Sequence, residues 1–196
     1  GQASVTDFVL DNQNNILMSG SFSGSVTFGS QMTSAGQNDA LVASMTPSGT
    51  WNWAKSVGGN SYDTGSGVAF DPSTGYTMLG LSSQSSFSFG GTSFTPRGYN
   101  DSLVLSFNSN GNPVSLFDAG SAADDAVSGI SLMPNGALVI AGNFNGTIDF
   151  GSSSASTQTT SVLMPYVWFT ETVAVLDADG DGVADDDDNC PNTANP

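Results

Sequence analysis

Apolar and polar residues alternate along this chain in short bursts, set apart by clusters of Gly, Asn, Pro and Ser. Phe8, Val9 and Leu10 open one burst, the polar stretch 11–15 interrupts it, and residues 16–20 alternate again. Val26 and Phe28 return after Ser23-Gly24. Residues 40–45 form another run, Pro47-Ser48-Gly49 turns the chain, and residues 51–55 lead it back. A period of two bounded by turn residues predicts strands, and no stretch carries a sustained helical period with caps. Ser23-Gly24 and its counterpart Asn145-Gly146 read as tight hairpin connections. The expected fold class is therefore all-β, with four or five antiparallel strands in each unit.

The bursts recur. FVLDNQNNILMSG (8–20) matches VAFDPSTGYTMLG (68–80) and ISLMPNGALVIAG (130–142), and a Phe-Gly pair returns at 28–29, 89–90 and 150–151. NDALVASMTPSG (38–49) matches NDSLVLSFNSNG (100–111), and WAKSVGGNSYD (53–63) shares its closing Gly and Asp with SLFDAGSAADD (115–125). The period is about 61 residues, the signature of a tandem repeat architecture. Repeats are expected over 1–160 (about 1–59, 60–120 and 121–160), then an extended apolar segment over 161–176 and a distinct acidic end over 177–196.

The segments NDALVASMTPSGTWNWAKSVGGNSYD (38–63) and DSLVLSFNSNG (101–111) resemble the bacterial β-propeller repeat family called SBBP, and the likeness spans roughly 1–160. That resemblance implies blade-like antiparallel sheets and no particular activity. Propellers close with about four to eight blades. Two full units and part of a third, which loses the pattern after Gly151, imply an incomplete ring or an open stack. Uncovered sheet edges are templates for pairing with another chain, so self-association or another surface protein is an expected partner.

Charge narrows the field. Of 196 residues 18 are acidic and two basic, Lys55 and Arg97, with no histidine and a net charge of −16. Nucleic acid is excluded as a partner, because phosphate contacts need clustered Lys and Arg, and anionic membrane surfaces are disfavoured likewise. The longest apolar run, 162–169, contains Pro165 and falls short of the ~20 residues that span a bilayer. No secretory leader is visible, so Gly1 is expected to be a processed or internal start. Divalent cations are the natural counter-charge.

The acids concentrate in DADGDGVADDDD (177–188). Counting Asp177 as one, acids stand at one, three, five, nine and twelve: Asp177, Asp179, Asp181, Asp185 and Asp188. Gly182 is at six, and Val183 at seven can offer its carbonyl. That is the ligand register of an EF-hand loop, with Asp replacing the usual Glu at twelve. A hard cation ~2.4 Å from six or seven oxygens needs such a turn, and without it the charges repel by roughly 0.5–1 kcal/mol per close pair. A disordered acidic tail is the alternative.

The whole string DADGDGVADDDDNCPNTANP (177–196) resembles the thrombospondin type 3 repeat. The resemblance implies Ca²⁺ as the ion, with Asp177, Asp179, Asp181, Asp185 and Asp188 as ligands and Val183 through its backbone. It also implies that Cys190, the chain's one cysteine, pairs with a neighbouring repeat, so the polypeptide is expected to continue beyond Pro196. A free thiol or an intermolecular bridge remains open.

Little else points to chemistry. No histidine offers a general base, Lys55 reads as a strand residue, and Asp124-Asp125 reads as turn chemistry more than as a glycosidase pair. Trp51 and Trp53 alternate and so are expected to share one strand face, as core or, with Trp168, as a glycan platform. The sequons at Asn100 and Asn145 are short enough to arise by accident. The expected function is that of a non-enzymatic, secreted or cell-surface structural or adhesion protein with a calcium-stiffened linker, able to assemble into a fibre or surface layer. The alternative is a carbohydrate- or ligand-binding propeller module of a larger secreted enzyme.

Overall fold

A computed structural model describes residues 1–149, 154–156 and 164–169. Over these residues the protein is all-β: tandem antiparallel sheets, each folded from one repeat and stacked face to face like successive blades. The first sheet runs in the order β1 (Gln2–Leu10), β2 (Ile16–Ser23), β5 (Asp39–Met45), β6 (Trp51–Val57). Between β2 and β5 the chain leaves the sheet to form a separate hairpin, β3 (Ser25–Phe28) and β4 (Ser30–Thr33). The second repeat copies this plan. Its sheet holds β7 (Asp63–Asp71), β8 (Tyr76–Ser83), β11 (Asp101–Phe107) and β12 (Pro113–Asp118), and its hairpin holds β9 (Phe87–Phe89) and β10 (Thr92–Phe94). The third has β13 (Ala126–Leu132), β14 (Leu138–Phe144) and the hairpin β15 (Thr147–Asp149) with β16 (Ser154–Ser156).

The separate hairpin corrects the expected connections. Ser23-Gly24 does not fold β3 back on β2, because β2 pairs with β5, and Asn145-Gly146 likewise leads from β14 into a hairpin of its own. In the first two repeats the tight turn lies at the Phe-Gly pairs 28–29 and 89–90 instead. In the second repeat Gly90 and Gly91 both have positive φ, at 58° and 86°, as a two-residue hairpin turn that follows strand twist requires.

The extended segment expected over 161–176 contributes a strand, β17 (Met164–Phe169), that pairs with β14. It occupies the third-strand place that β5 and β11 hold: Val42 lies opposite Ser19, Val104 opposite Gly80, and Val167 opposite Ala141. The third repeat thus keeps its geometry without the Asn-Asp signature.

Stacking explains why LVASM and LVLSF read as runs rather than clean alternations. Strands buried on both faces lose their polar side. Ala40, Val42 and Val57 of the first sheet meet Leu79, Leu81, Leu103, Leu105 and Phe107 of the second, and Phe89 and Phe94 of its hairpin seal this layer. The opposite face of the second sheet offers Ala69, Met78 and Val104 to Val127, Ile130, Ile140 and Phe144 of the third. A third apolar layer, around Met18, Phe22, Leu41 and Ala43, lies on the outward face of the first sheet under Val26, Phe28 and Met32.

Each first strand carries a one-residue bulge at the same place, at Thr6, Ser66 and Ser128. Bulges raise local twist and bend the strand, here where successive sheets approach most closely. A Cβ on Gly65 would lie 2.6 Å from the carbonyl oxygen of Gly20. Thr6 donates its hydroxyl to the Gly65 carbonyl at 2.8 Å, and the Val68 amide donates to Asp7 Oδ2 at 3.1 Å, so the bulge also supplies polar links between sheets.

A second bulge sits in the fourth strand, at Asn52 and at Val114. It overturns the expectation that Trp51 and Trp53 share a face. The extra residue sends Trp51 to the outward layer, edge-on to Phe28 at 5.0 Å, and Trp53 to the layer between sheets, stacked on Phe107 at 6.2 Å.

Candidate functional site

Two arrangements at opposite ends of the sheets bring functional side chains together. At the end where β4 leads into β5 and β6 into β7 lie the recurrent aspartates Asp39, Asp63, Asp101 and Asp125, all buried. Each opens or immediately precedes a strand and bends back on the loop before it. Asp39 accepts the amides of Ala35 at 3.1 Å and Gly36 at 3.3 Å, and the Ser56 hydroxyl at 2.5 Å. Asp101 repeats this with Arg97 at 2.7 Å and Gly98 at 3.2 Å. Asp63 accepts the Gly59 amide at 2.9 Å and the Ser83 hydroxyl; Asp125 accepts the amides of Ser121 at 2.5 Å and Asn145 at 3.3 Å. Backbones join the pairs too. The Asp63 amide donates to the Asn38 carbonyl and the Asp125 amide to the Asn100 carbonyl, both at 2.9 Å.

These are clasps. A buried carboxylate is tolerated where several N–H groups converge on it, and the loops provide that convergence. Burial pushes the Asp101 carboxyl up; the amides of Arg97 and Gly98 pull it back, Asp118 pushes it further up, the Arg97 guanidinium opposes, and the net value is raised. Burial also raises Asp125 against the hydroxyl and amide of Ser121 and the amide of Asn145. Arg97 adds an ion pair to Asp118 at 2.7 Å. The sequon at Asn100 is absorbed into this network, with Asp101 and Ser102 fully buried. Among the described residues Ser102 Oγ has no hydrogen-bond partner, and it stands where the first repeat has Ala40.

The opposite end carries the turns between β1 and β2, β5 and β6, β7 and β8, and β11 and β12. The first residue of these turns holds the amides that follow: Asp11 those of Gln13 and Asn15, Asp71 that of Ser73, and Asn108 those of Asn110 and Asn112. Burial pushes Asp71 up, but the hydroxyls and amides of Thr74 and Ser73 outweigh it and leave its carboxyl below the ordinary value. Between the first two sheets these turns enclose a cleft of about 540 Å³, lined by Asn12, Gln13, Asn52, Trp53, Phe70 and Asn110 among others. Trp53 is held there by its indole N–H to the Ser109 carbonyl at 3.0 Å. The Asn52 side chain donates to Ser44 Oγ at 3.0 Å.

The sequence-predicted sites distribute unevenly over this frame. Asp177, Asp179, Asp181, Val183, Asp185, Asp188 and Cys190 lie outside the described residues. Asp125 is buried in its clasp whereas its neighbour Asp124 is exposed, so the two carboxylates do not act as a pair. Trp51 and Trp53 are separated by the sheet, and β17 places Trp168 opposite Ile140. Among the described residues no group of three or more His, Cys, Asp or Glu is placed to hold a metal ion. The clasps were missed as a network, although the recurring Asn-Asp at 38–39 and 100–101 was a signal for them.

No family model matches the chain, and no curated protein matches it. Among solved structures it is similar to the Hadza microbial sialidase Hz136, at 14% identity and a TM-score of 0.47, over 72% of this chain and 32% of that one. The chain thus spans about a third of that protein's length.

Proposed function

We propose that this chain is a non-enzymatic scaffold of a secreted or cell-surface protein, a stiff stack of sheets whose acidic end binds Ca²⁺. The observation that carries this reading is the use of the buried acids. Asp39, Asp63, Asp101 and Asp125 each serve as a hydrogen-bonded clasp on a loop, so the acids of the body hold its architecture. The remaining concentration of acid, 177–188, has the ligand spacing of a calcium loop. There Asp177, Asp179, Asp181, Asp185, Asp188 and the Val183 carbonyl would hold the ion.

Extracellular modules bind Ca²⁺ with dissociation constants near 10⁻⁴ M, and at ten times that concentration the ion stabilises the bound form by about 1.4 kcal/mol. Titration calorimetry is expected to give binding heat that Asp181→Ala abolishes. Calcium is expected to slow proteolysis within 177–196 while leaving the sheets' melting nearly unchanged. Equal cleavage with and without chelator would remove the calcium-stiffened linker from the proposal.

The inter-sheet cleft favours a second reading, a binding module for a neutral polar ligand such as a glycan. About 540 Å³ is within the size of small-molecule sites. The Asn52 carbonyl oxygen and the Asn110 side-chain amide, neither bonded to another described residue, can pair with hydroxyls. Glycan binding lost in Asn52→Ala and Asn110→Ala, with melting unchanged, is the expected result on that reading; no binding across a glycan panel removes it.

A further inference from the structure

The apolar layer on the outward face of the first sheet is the same layer that the second and third sheets bury against a neighbour. One position of each first strand makes the comparison, because the pairing registers match: Phe8 opposite Met18, Val68 opposite Leu79, Ile130 opposite Ile140. Val68 is 4% exposed and Ile130 8%, each covered by the preceding sheet, whereas Phe8 is 67% exposed. Val5 and Leu10 flank Phe8 on the same face, at 54% and 49%. Their counterparts Val127 and Phe70 are buried and half-buried. An exposed contiguous apolar strip of this kind marks an interaction surface.

The repeat also specifies what covers that face. The preceding sheet always presents a row of small and apolar residues at fixed register. Leu17 and Val42 are presented to the second sheet, and Met78 and Val104 to the third. The third sheet continues the series with Val139 and Ala141 of β14. Val139 is half-buried where Leu17 and Met78 are buried, so this row too has an open side.

We propose that the outward face of the first sheet docks the outward face of the third sheet of a second copy, so that copies add head to tail. Such a contact joins two different patches and is heterologous, and it grows until a rotation closes it. It continues the interlayer already present twice within one copy. Neither patch carries a charged residue at the positions named, while each copy has a net charge of −16. Salt should therefore strengthen association by screening the repulsion.

Sedimentation velocity over a hundredfold concentration range, at low and high salt, tests the proposal. Wild type is expected to form species larger than monomer that grow with concentration and salt. Phe8→Asp, at an exposed position, is expected to weaken association at least about tenfold with unchanged melting. Asn143→Glu, on the third sheet's outward face, is expected to do the same. A mixture of the two variants is expected to give a one-to-one pair that grows no further, since each retains one competent face. Monomer at every concentration overturns the proposal, whether the face stays bare or is covered by sequence of the same polypeptide. So does association indifferent to Phe8→Asp, or Asn143→Glu dimers that form without a partner, which would mean that the first-sheet face pairs with itself.

Discussion

Replacing Asp101 with alanine is expected to destabilise the fold by about 3 kcal/mol and to lower the unfolding midpoint by roughly 6–12 °C. The change removes the acceptor for two loop amides, Arg97 and Gly98, in a place water does not reach. A lost buried acceptor imposes the full desolvation penalty of each orphaned donor, which exceeds what the hydrogen bonds contribute while intact. Asp125→Ala should fall in the same range, because Ser121 and Asn145 lose their acceptor. Asp101→Asn should be intermediate, since one oxygen still accepts while the amide group faces a second donor. Calorimetry on the three variants checks this; a loss under 1 kcal/mol for both alanine variants would mean that the loops rearrange freely.

The same carboxyls set a pH dependence with a definite sign. Asp101 and Asp125 have raised values in the folded state, so the native protein holds more protons than the unfolded chain between the ordinary value of 3.8 and the raised one. Through that window these two groups reduce stability as pH rises, and above it their effect is constant. Asp71, held below 3.8, acts oppositely: its contribution is lost as pH falls through its lowered value. Urea unfolding from the ordinary carboxyl value upward should therefore show a smaller loss of stability with rising pH in Asp101→Asn than in wild type, and a steeper fall as the solution is acidified.

Phe107→Ala is expected to destabilise by about 4 kcal/mol, since its buried ring would leave a cavity with few ways to collapse. Phe107 is 1% exposed, stands edge-on to Phe89 at 5.1 Å and stacks on Trp53, so it joins the second sheet, its hairpin and the first sheet. The midpoint should drop by roughly 8–16 °C, with Trp53 emission shifted toward that of a solvated indole. Phe28→Ala supplies the contrast. Phe28 also meets a tryptophan, here edge-on, but it is only half-buried, in the layer that no further sheet covers among the described residues. A loss of about 1–2 kcal/mol is expected there, and equal losses at the two positions would show that the outward layer is as well packed as the inner one.

Much of the frame was legible because tandem repetition amplifies weak signals. The strand bursts at 16–20, 40–45 and 51–55, and the turns between them, fell where β2, β5 and β6 and their connections lie. The bulge at Asn52 was not legible. Alternation in WNWAK continues smoothly through it, and only the register against Ser44 and Met45 shows that Trp51 and Trp53 part company. The place of β17 was hidden for the opposite reason: Met164–Phe169 lacks the Asn-Asp opening, yet pairing with β14 fixes its position. The clasps escaped because aspartate is rarely buried, and a turn reading accounts for it without burial. Only the converging amides at 35–36 and 97–98, which no linear pattern displays, reveal the difference.

Each of the first two sheets is completed by a contiguous segment and touches mainly its immediate neighbours in the stack. Such a body behaves as a quasi-one-dimensional series, in which stability is a sum of intrinsic and nearest-neighbour terms. Gene duplication could lengthen it by whole units without inventing a new core, and unravelling from one extremity need not propagate to the other. A chain built this way can also mature while it is still being synthesised, one sheet settling before the next has left the ribosome.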